Sequence, residues 1–426
     1  MKPQTDRQPT ADYRPPTTDH RPPTTDYLWL PLLFLSWWLA WNFQDQFISD
    51  WDGFDYTSYT VKGYPTSLGL GRALFLGYNY LLWKIAHNWF ALPAEHAYLV
   101  LRYAVIAQSG PATVGIYTLF KELTASRLSA FIGALLIALS PYYIIYSGRG
   151  MSEIPAILML SWSLWWMLRS LRLGCSLKFQ LAALLVGMSA NLREFAIFYL
   201  PMIPLAARIY GYSWLAGSRA LALAVLGAFA GMIFWTFQLP TYWVGVFNWY
   251  TLSAQERKIH PVTIENFRFL FEFAYNCCST VVIIAPLAFI WLWSRKKISA
   301  LFIFGALGLL ADLVLLANHD LAVNPRYLMT GLLGLAAVCG WCLAELTTRF
   351  GLRVLPLLLG LVILSKSTYN HMYREVDGSK WAARAAKNYI SRIEALPWNS
   401  AFIVGARSPL ITLYNWIGAR PFWKTV

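Results

Sequence analysis

Charged residues are scarce in this chain, and acids are scarcer than bases. Only 13% of the 426 residues are Asp, Glu, Lys or Arg, whereas about 25% is usual for a soluble protein. Hydrophobic residues make up 57%. Apolar runs of ~17–25 residues recur, and each is long enough to cross the ~30 Å hydrocarbon core of a bilayer. The composition therefore excludes an ordinary soluble enzyme and predicts an integral membrane protein.

Cysteine is also rare. Five cysteines are too few for a disulfide framework. Cys277 and Cys278 are adjacent, and Cys339 and Cys342 form a C-x-x-C inside the apolar stretch LAAVCGWCLAEL. No second pair of Cys or His lies nearby in the sequence, so we interpret these residues as packing groups and not as zinc or redox ligands.

The net charge of +14 does not indicate nucleic-acid binding. The basic residues do not form a stripe on a soluble domain. They lie between the apolar runs, at the positions where Lys and Arg set the orientation of membrane helices. We therefore expect membrane lipids, and no nucleic acid, among the partners.

The first 26 residues lack the apolar core and cleavage site of a signal peptide. The segment ADYRPPTTDHRPPTTDY repeats an R-P-P-T-T-D unit, and Pro and Thr with scattered charge cannot build a core. Residues 1–26 are predicted to be a disordered cytoplasmic tail. The apolar run that follows is predicted to remain as a membrane anchor.

The apolar runs predict an all-α polytopic protein with about eleven transmembrane helices. Residues 27–366 form this predicted transmembrane domain. Segment 64–90 is apolar but interrupted by glycines, Pro65 and charged residues, so it predicts an amphipathic helix at the interface, in the first outer loop. The predicted spans are 27–43, 97–120, 127–146, 154–169, 178–190, 195–209, 219–238, 277–294, 298–317, 327–347 and 353–366.

The Lys and Arg residues predict the orientation of these spans. With the tail in the cytoplasm, sixteen of them fall on inner segments, whereas the short outer loops 147–153, 191–194 and 318–326 hold one each. This distribution follows the positive-inside rule. It predicts a multi-pass protein of the inner or plasma membrane, with its C-terminus outside. Residues 367–426 are predicted to be a small outer α/β segment.

The first outer loop is rich in acids. Asp45, Asp50, Asp52 and Asp55 fall within eleven residues, just after the first span. Neighbouring carboxylates can provide a general base or hold a divalent cation through oxygen ligands. A solvated loop without either role is the competing interpretation.

Three further outer loops carry polar residues, each with a simpler alternative. Glu153 opens a span and can be a plain acid at a helix N-terminus. Arg193 and Glu194, in the turn NLRE, can form a local ion pair. Arg326 can be a residue whose long side chain extends its charge to the membrane–water interface, or a planar hydrogen-bond donor to phosphate. Asp312, inside a span, is a functional candidate or a buried hydrogen-bonding group. Because all four loops fall on one side, we expect their ionic groups to meet at one membrane face.

The order of these motifs resembles the GT-C superfamily of polytopic glycosyltransferases, in particular the bacterial branch of protein mannosyltransferases and aminoarabinose transferases. The matching stretches, spread over residues 27–366, are the acidic loop SDWDGFDYTSY, then PYYIIYSGRGMSEIP, NLRE and NPRYL. The family commonly has an acidic pair in the first loop. This chain has Asp50-x-Asp52-x-x-Asp55 instead, which leaves open which aspartate is the base.

The resemblance implies transfer of a hexosyl or pentosyl group from a polyprenyl-phosphate donor to an acceptor hydroxyl at the outer face, with inversion. The acceptor would be a glycan, a lipid or a protein of the cell envelope. It implies catalytic roles for Asp52, Asp50 and Glu153. A divalent cation, Mg²⁺ or Mn²⁺, is permitted but not required, with Asp52 and Glu153 as its ligands. Substrate contacts would come from Asp55, Tyr56, Arg149, Arg193, Glu194, His319, Arg326 and Tyr327.

Two other classes of protein also have many membrane helices. A lipid or sugar transporter or flippase commonly shows internal repeats and interrupted helices at mid-membrane, but the two halves of this chain show no repeat. A non-catalytic membrane scaffold gives no reason for acids and arginines to recur on one face.

Overall fold

A computed structural model of the chain describes residues 26–45, 51–62, 72–238, 264–295, 299–318, 325–355 and, except for 364, 367, 371 and 375, residues 359–378. Every regular element in these ranges is a helix. The α-helices are α1 (Trp29–Asn42), α2 (Trp51–Lys62), α3 (Ala73–Phe90), α4 (Ala97–Thr124), α5 (Arg127–Ala138), α6 (Pro141–Ser147), α7 (Glu153–Arg172), α8 (Ser176–Met188), α9 (Met202–Ile209), α10 (Trp214–Gln238), α11 (Ile264–Ser294), α12 (Ala300–Asn318) and α13 (Met329–Phe350). Short 3₁₀ helices are Ala94–His96, Ser189–Asn191, Glu194–Tyr199, Pro325–Leu328 and Gly351–Val354.

Four helices of the described ranges are long and apolar enough to cross a membrane. They are Glu153–Arg172, Trp214–Phe234, Ala274–Ser294 and Arg326–Phe350. A bent pair, α5 with α6, would be a fifth. The chain is thus a helical, multi-pass membrane protein. The larger number of about eleven spans stays a prediction.

Two predicted spans are broken in the structure. Span 127–146 is divided into α5 and α6, which meet at 67°. α5 ends at Ala138. Ser140 caps α6 by accepting a hydrogen bond from the Tyr143 amide, and Pro141 occupies the first turn of α6. Span 195–209 is a 3₁₀ helix followed by α9, because Pro201 lacks the N–H needed for a continuous helix.

The described part of the chain is built around α4 and α7, which pack along each other. α8 lies against α7 and α10, while α13 lies against α5, α11 and α12. Cys277, Cys278, Cys339 and Cys342 are buried and form no disulfide. Their positions are consistent with the packing role inferred from sequence.

The two termini extend beyond the described residues. The tail prediction covers residues 1–26, of which only Asp26 is described, and the disorder of the tail stays a prediction. The Asp26 carboxylate accepts a hydrogen bond from the Tyr117 hydroxyl at 2.7 Å and pairs with Lys121. At the other end, residues 368–378 are helical where described. The remainder of the predicted α/β segment, 379–426, lies outside the described residues.

The helix predicted within 64–90 is present as α3. Its first turn and one face are buried, and its far end exposes Trp89 and Phe90, at 77% and 76%. Exposed aromatic rings of this kind are common at the membrane–water boundary. Residues 63–71 of the predicted segment lie outside the described residues, and its interfacial location stays a prediction.

The contact between α8 and α10 gives a prediction for stability. A Cβ added at Gly187 would overlap the backbone carbonyl of Ala224, and a backbone atom cannot move aside as a side chain can. We expect Gly187→Ala to lower the free energy of unfolding by about 1–3 kcal/mol, the usual cost of overpacking. Thermal unfolding in detergent checks this.

The matched control is Gly77→Ala on α3. A Cβ at Gly77 meets nothing within 4 Å, so the better helix propensity of alanine should raise stability by about 0.5–1 kcal/mol. If both substitutions changed the free energy of unfolding equally, the close contact of α8 with α10 would be contradicted.

Candidate active site

The predicted site residues lie at the ends of helices. Asp52 is in the first turn of α2, and Glu153 is the first residue of α7. Arg193 precedes the 3₁₀ helix Glu194–Tyr199, and Arg326 lies in the 3₁₀ helix Pro325–Leu328 that leads into α13. These segments are far apart in sequence, so only the fold can bring them together.

The structure brings these four side chains into contact. Nη2 of Arg326 lies 2.6 Å from Oδ2 of Asp52, and its Nε lies 3.6 Å from Oε1 of Glu153. Nη1 of Arg193 lies 2.8 Å from the same Glu153 oxygen and 3.3 Å from the Ser152 hydroxyl. Two arginines therefore share one carboxylate, and one of them also holds Asp52.

Arg72 joins the same group from the start of α3. Its guanidinium lies 3.6 Å from Asp52 and 3.6 Å from Glu194. In the sequence Arg72 is only an interruption of an apolar run, and it was not among the predicted site residues. The charge within that run was the available signal. We call Asp52, Arg72, Glu153, Arg193, Glu194 and Arg326 the ionic cluster.

The ionic cluster is buried at one side and accessible at the other. The side chains of Glu153, Arg193 and Arg326 are exposed by 2–3%, whereas those of Asp52 and Glu194 are exposed by 16% and 45%. Buried charges need close partners to offset lost hydration, and the inner three provide this for one another. A ligand would approach from the side of Asp52 and Glu194.

Aromatic rings flank the arginines. The Tyr327 ring lies 5.1 Å from the Arg193 guanidinium and 5.3 Å from that of Arg326. The Tyr146 ring lies between Arg326 and Arg149, at 5.9 and 5.3 Å. Such contacts hold a guanidinium plane in place without using its N–H donors.

Some donors in the cluster remain available. Nη1 of Arg72 and Nη2 of Arg193 are buried and have no hydrogen-bond acceptor among the described residues, and the same holds for the Tyr56 hydroxyl. The Tyr56 ring lies 5.2 Å from the Arg72 guanidinium. A buried donor without an acceptor is costly, so an anionic ligand that accepts from these groups would be favoured.

Arginines also set the ionisation of Glu194. Desolvation of this partly buried side chain raises its pKa, but the charges of Arg72 and Arg193 lower it more. The net result is a pKa of about 2. Glu194 is therefore an anion at neutral pH, which suits an ion-pairing group and not a proton donor.

This pKa predicts how stability depends on pH. The Glu194 ion pairs stabilise the fold above the ordinary carboxyl pKa of about 4.3, and the contribution is lost as pH falls towards about 2. Because the carboxylate is half-exposed, the effect should be no more than about 1 kcal/mol. We expect Glu194→Gln to lower the melting temperature slightly at pH 6. The melting temperature of this variant should also change less with pH, between about 4.3 and about 2, than that of wild type.

Thermal melts in detergent at a series of pH values measure this effect. Glu272→Gln is the control, because Glu272 pairs with Arg268 on an exposed face of α11. A Glu194→Gln variant whose melting curve follows wild type down to acidic pH would contradict the assigned ion pairs.

The other predicted residues divide into three groups. Tyr56, Arg149, Glu194 and Tyr327 lie in or beside the ionic cluster. Asp312 is buried between α12 and α13, against Gly331, and has no ion-pair partner in the described ranges. Asp50, the side chain of Asp55 and His319 lie outside the described residues.

The two possible metal ligands do not fit a divalent cation well. Among the described residues no three His, Cys, Asp or Glu side chains are grouped as metal ligands. Asp52 and Glu153 are both in contact with Arg326, and Arg72 and Arg193 lie close by. A cation placed there would be repelled by three guanidiniums, and the two carboxylates that could bind it already pair with arginines. Among the described residues of this site, the positive charge is that of arginine.

Comparison with solved structures identifies the fold. ArnT from Cupriavidus metallidurans bound to undecaprenyl phosphate superimposes with a TM-score of 0.58 at 11% identity, over 93% of this chain and 84% of ArnT. Oligosaccharyltransferase from Archaeoglobus fulgidus, in complex with Zn and sulfate, gives 0.55 at 14% identity, over 92% of this chain. The chain shares the fold of these two proteins.

This shared fold agrees with the resemblance to the GT-C superfamily found in the sequence. The chain matches 61% of the length of the oligosaccharyltransferase. No protein-family model and no curated protein matches the sequence. At identities this low the comparison shows the fold alone, so the activity has to be argued from the site.

Proposed function

We propose that this protein is a membrane glycosyltransferase that moves a sugar from a polyprenyl-phosphate donor to an acceptor hydroxyl. The single observation that carries the proposal is the ionic cluster, in which buried arginines and carboxylates from five helix ends meet in a GT-C fold. The ArnT structure of this fold is bound to undecaprenyl phosphate, which supports the same class of donor here.

The arginines would stabilise the leaving group. When the bond from the anomeric carbon to the phosphate oxygen breaks, negative charge develops on the lipid phosphate. Fixed donors aimed at developing charge are among the strongest contributions to catalysis. Arg326 is our first choice for this role and Arg193 the second. Arg72 completes the set, since it lies 3.6 Å from the same Asp52 oxygen that Arg326 contacts.

Asp52 is our first choice for the general base, and Asp50 the second. The acceptor hydroxyl attacks the anomeric carbon and gives its proton to this carboxylate, while the lipid phosphate departs as an anion. A single displacement of this kind inverts the anomeric centre. Asp52 is held by Arg326 at 2.6 Å, so a donor phosphate that binds Arg326 would compete with Asp52 and release it for proton transfer.

Glu153 would act as a positioning residue. It is nearly fully buried and contacts both Arg193 and Arg326, which leaves it poorly placed to meet an acceptor. Its carboxylate fixes the two guanidiniums and offsets their charge when no substrate is bound. This role replaces the acceptor-binding and base roles that the sequence left open.

We place the site at the outer face, with the N-terminus cytoplasmic and the C-terminus outside. The support is the distribution of Lys and Arg along the chain. The acceptor is then a hydroxyl of a glycan, lipid or protein in the cell envelope. Residues 27–366 form the catalytic domain in this proposal.

A transfer assay tests the proposal. Purified protein in micelles is incubated with a radiolabelled polyprenyl-phosphate sugar and candidate acceptors. Label is expected to appear in an acceptor with the opposite anomeric configuration, measured by NMR. Movement of intact labelled lipid across liposomes without a glycosidic product would overturn the proposal and favour a flippase.

A further inference from the structure

An apolar cavity runs along α7 towards the end of the helix that lies away from the ionic cluster. It has a volume of about 620 Å³ and is formed by α7, α8 and the turn between them. Glu153 begins α7, and Arg169 at the basic end of the cavity lies sixteen residues later, about 24 Å along the helix, whereas Leu158 at the other end of the cavity lies about 8 Å from Glu153. Its lining includes Leu158, Met159, three tryptophans, Arg169, Leu173 and Lys178.

The cavity is apolar along its length and basic at one end. Three tryptophans line it, and Trp162 is fixed in place because its indole N–H donates to the Pro111 carbonyl at 3.0 Å. Arg169 lies 5.5 Å from the Trp165 ring, and Lys178 enters from α8. Tryptophan with basic side chains is the usual composition of a membrane boundary layer.

Neither basic residue forms a close ion pair among the described residues, although Arg169 lies within electrostatic reach of the Glu122 carboxylate. Arg172, in the same turn, pairs with Glu122 at 3.1 Å, so its charge is balanced. Arg169 and Lys178 form no such ion pair in the described ranges. Two cations are therefore available at the mouth of an apolar cavity, where Leu173 is 60% exposed.

The dimensions suit one phospholipid. From residue 158 to residue 169 the helix rises by about 17 Å, which is close to the half-thickness of the hydrocarbon core, about 15 Å. An acyl chain would lie along the tryptophans with its phosphate at Arg169 and Lys178. In the orientation predicted from Lys and Arg, this is the cytoplasmic leaflet, which carries anionic lipids.

We propose that this cavity is a binding site for an anionic glycerophospholipid. The site is separate from the ionic cluster and does not depend on the proposed activity. Charge complementarity selects an anionic head group over a zwitterionic one. The length of the apolar cavity selects an acyl chain over a free phosphate.

Native mass spectrometry of the full-length protein tests the site. Phosphatidylglycerol and phosphatidylcholine with identical acyl chains are titrated into the detergent-purified protein, and bound lipids are counted. Wild type is expected to retain phosphatidylglycerol preferentially. The double variant Arg169→Gln, Lys178→Gln is expected to bind it about 30-fold more weakly, because two basic contacts to an anionic lipid are lost.

A matched control removes two exposed basic residues that do not line the cavity. Arg208→Gln, Arg219→Gln changes the charge equally and should alter phosphatidylglycerol binding less than twofold. Met159→Trp narrows the cavity without changing charge and should weaken binding of both lipids. Circular dichroism and gel filtration verify that each variant is folded.

Three results would overturn the proposal. One is equal affinity of wild type for the two phospholipids. Another is an equal loss in the control double variant. The third is displacement of phosphatidylglycerol from this cavity by undecaprenyl phosphate at lower concentration, which would assign the cavity to the donor lipid. None of these results depends on sugar transfer.

Discussion

Replacing Arg326 with alanine is expected to lower the turnover number for sugar transfer by about 100- to 1,000-fold, the cost of removing one donor from a site of developing charge. Arg326 is exposed by only 3% and lies 2.6 Å from Asp52. Its removal takes away the donor closest to the proposed base and the first of the donors proposed for the leaving phosphate. The rate is measured with a labelled polyprenyl-phosphate sugar at saturating donor.

Two variants distinguish loss of the phosphate-stabilising role from loss of the folded structure. Arg326→Lys keeps the charge but loses the planar pair of donors, so an intermediate rate is expected. Arg349→Ala removes an arginine near the other end of α13, beside Glu345, and should retain activity. Glu153 keeps its contact with Arg193 in the Arg326 variants, so folding should persist. Unchanged kinetics of Arg326→Ala would reject the phosphate role.

Replacing Asp52 with asparagine is expected to reduce the turnover number by about 100- to 10,000-fold, the range for loss of a general base. An amide retains an oxygen that can accept from Arg326 but cannot take a proton. The donor should therefore still bind, with KM little changed. Initial rates at varied donor concentration separate the two parameters.

Asp26→Asn is the matched control for this change. Asp26 lies in a separate ion pair with Lys121, near the C-terminal end of α4, and its replacement should leave turnover intact. Asp50→Asn tests the second candidate in the same assay. Activity that survives both Asp52→Asn and Asp50→Asn would remove the first outer loop from the chemistry.

Much of the architecture could be predicted because lipid imposes a simple rule on sequence. Long apolar runs must form helices, and α7, α10 and α13 were predicted within a few residues of their observed bounds. The breaks were harder to foresee. The bend at Pro141 and the 3₁₀ segment before Pro201 lie inside runs that are uniformly apolar, so hydropathy alone gave one span in each place.

The ionic cluster was predictable in part. Placing the polar loops on one face was sufficient to expect Asp52, Glu153, Arg193 and Arg326 together, and the structure brings them into contact. The pairing within the cluster was not predictable, because sequence does not specify distances between separate helices. Arg72 was missed for the same reason, since its role depends on where α3 begins relative to α2.

The charges of the ionic cluster balance, with three guanidiniums against three carboxylates. A phosphodiester donor brings one negative charge, whereas the phosphate monoester left after transfer carries nearly two at neutral pH. The spent carrier would thus be bound more tightly than the incoming donor. Free undecaprenyl phosphate is therefore expected to inhibit transfer competitively with the donor.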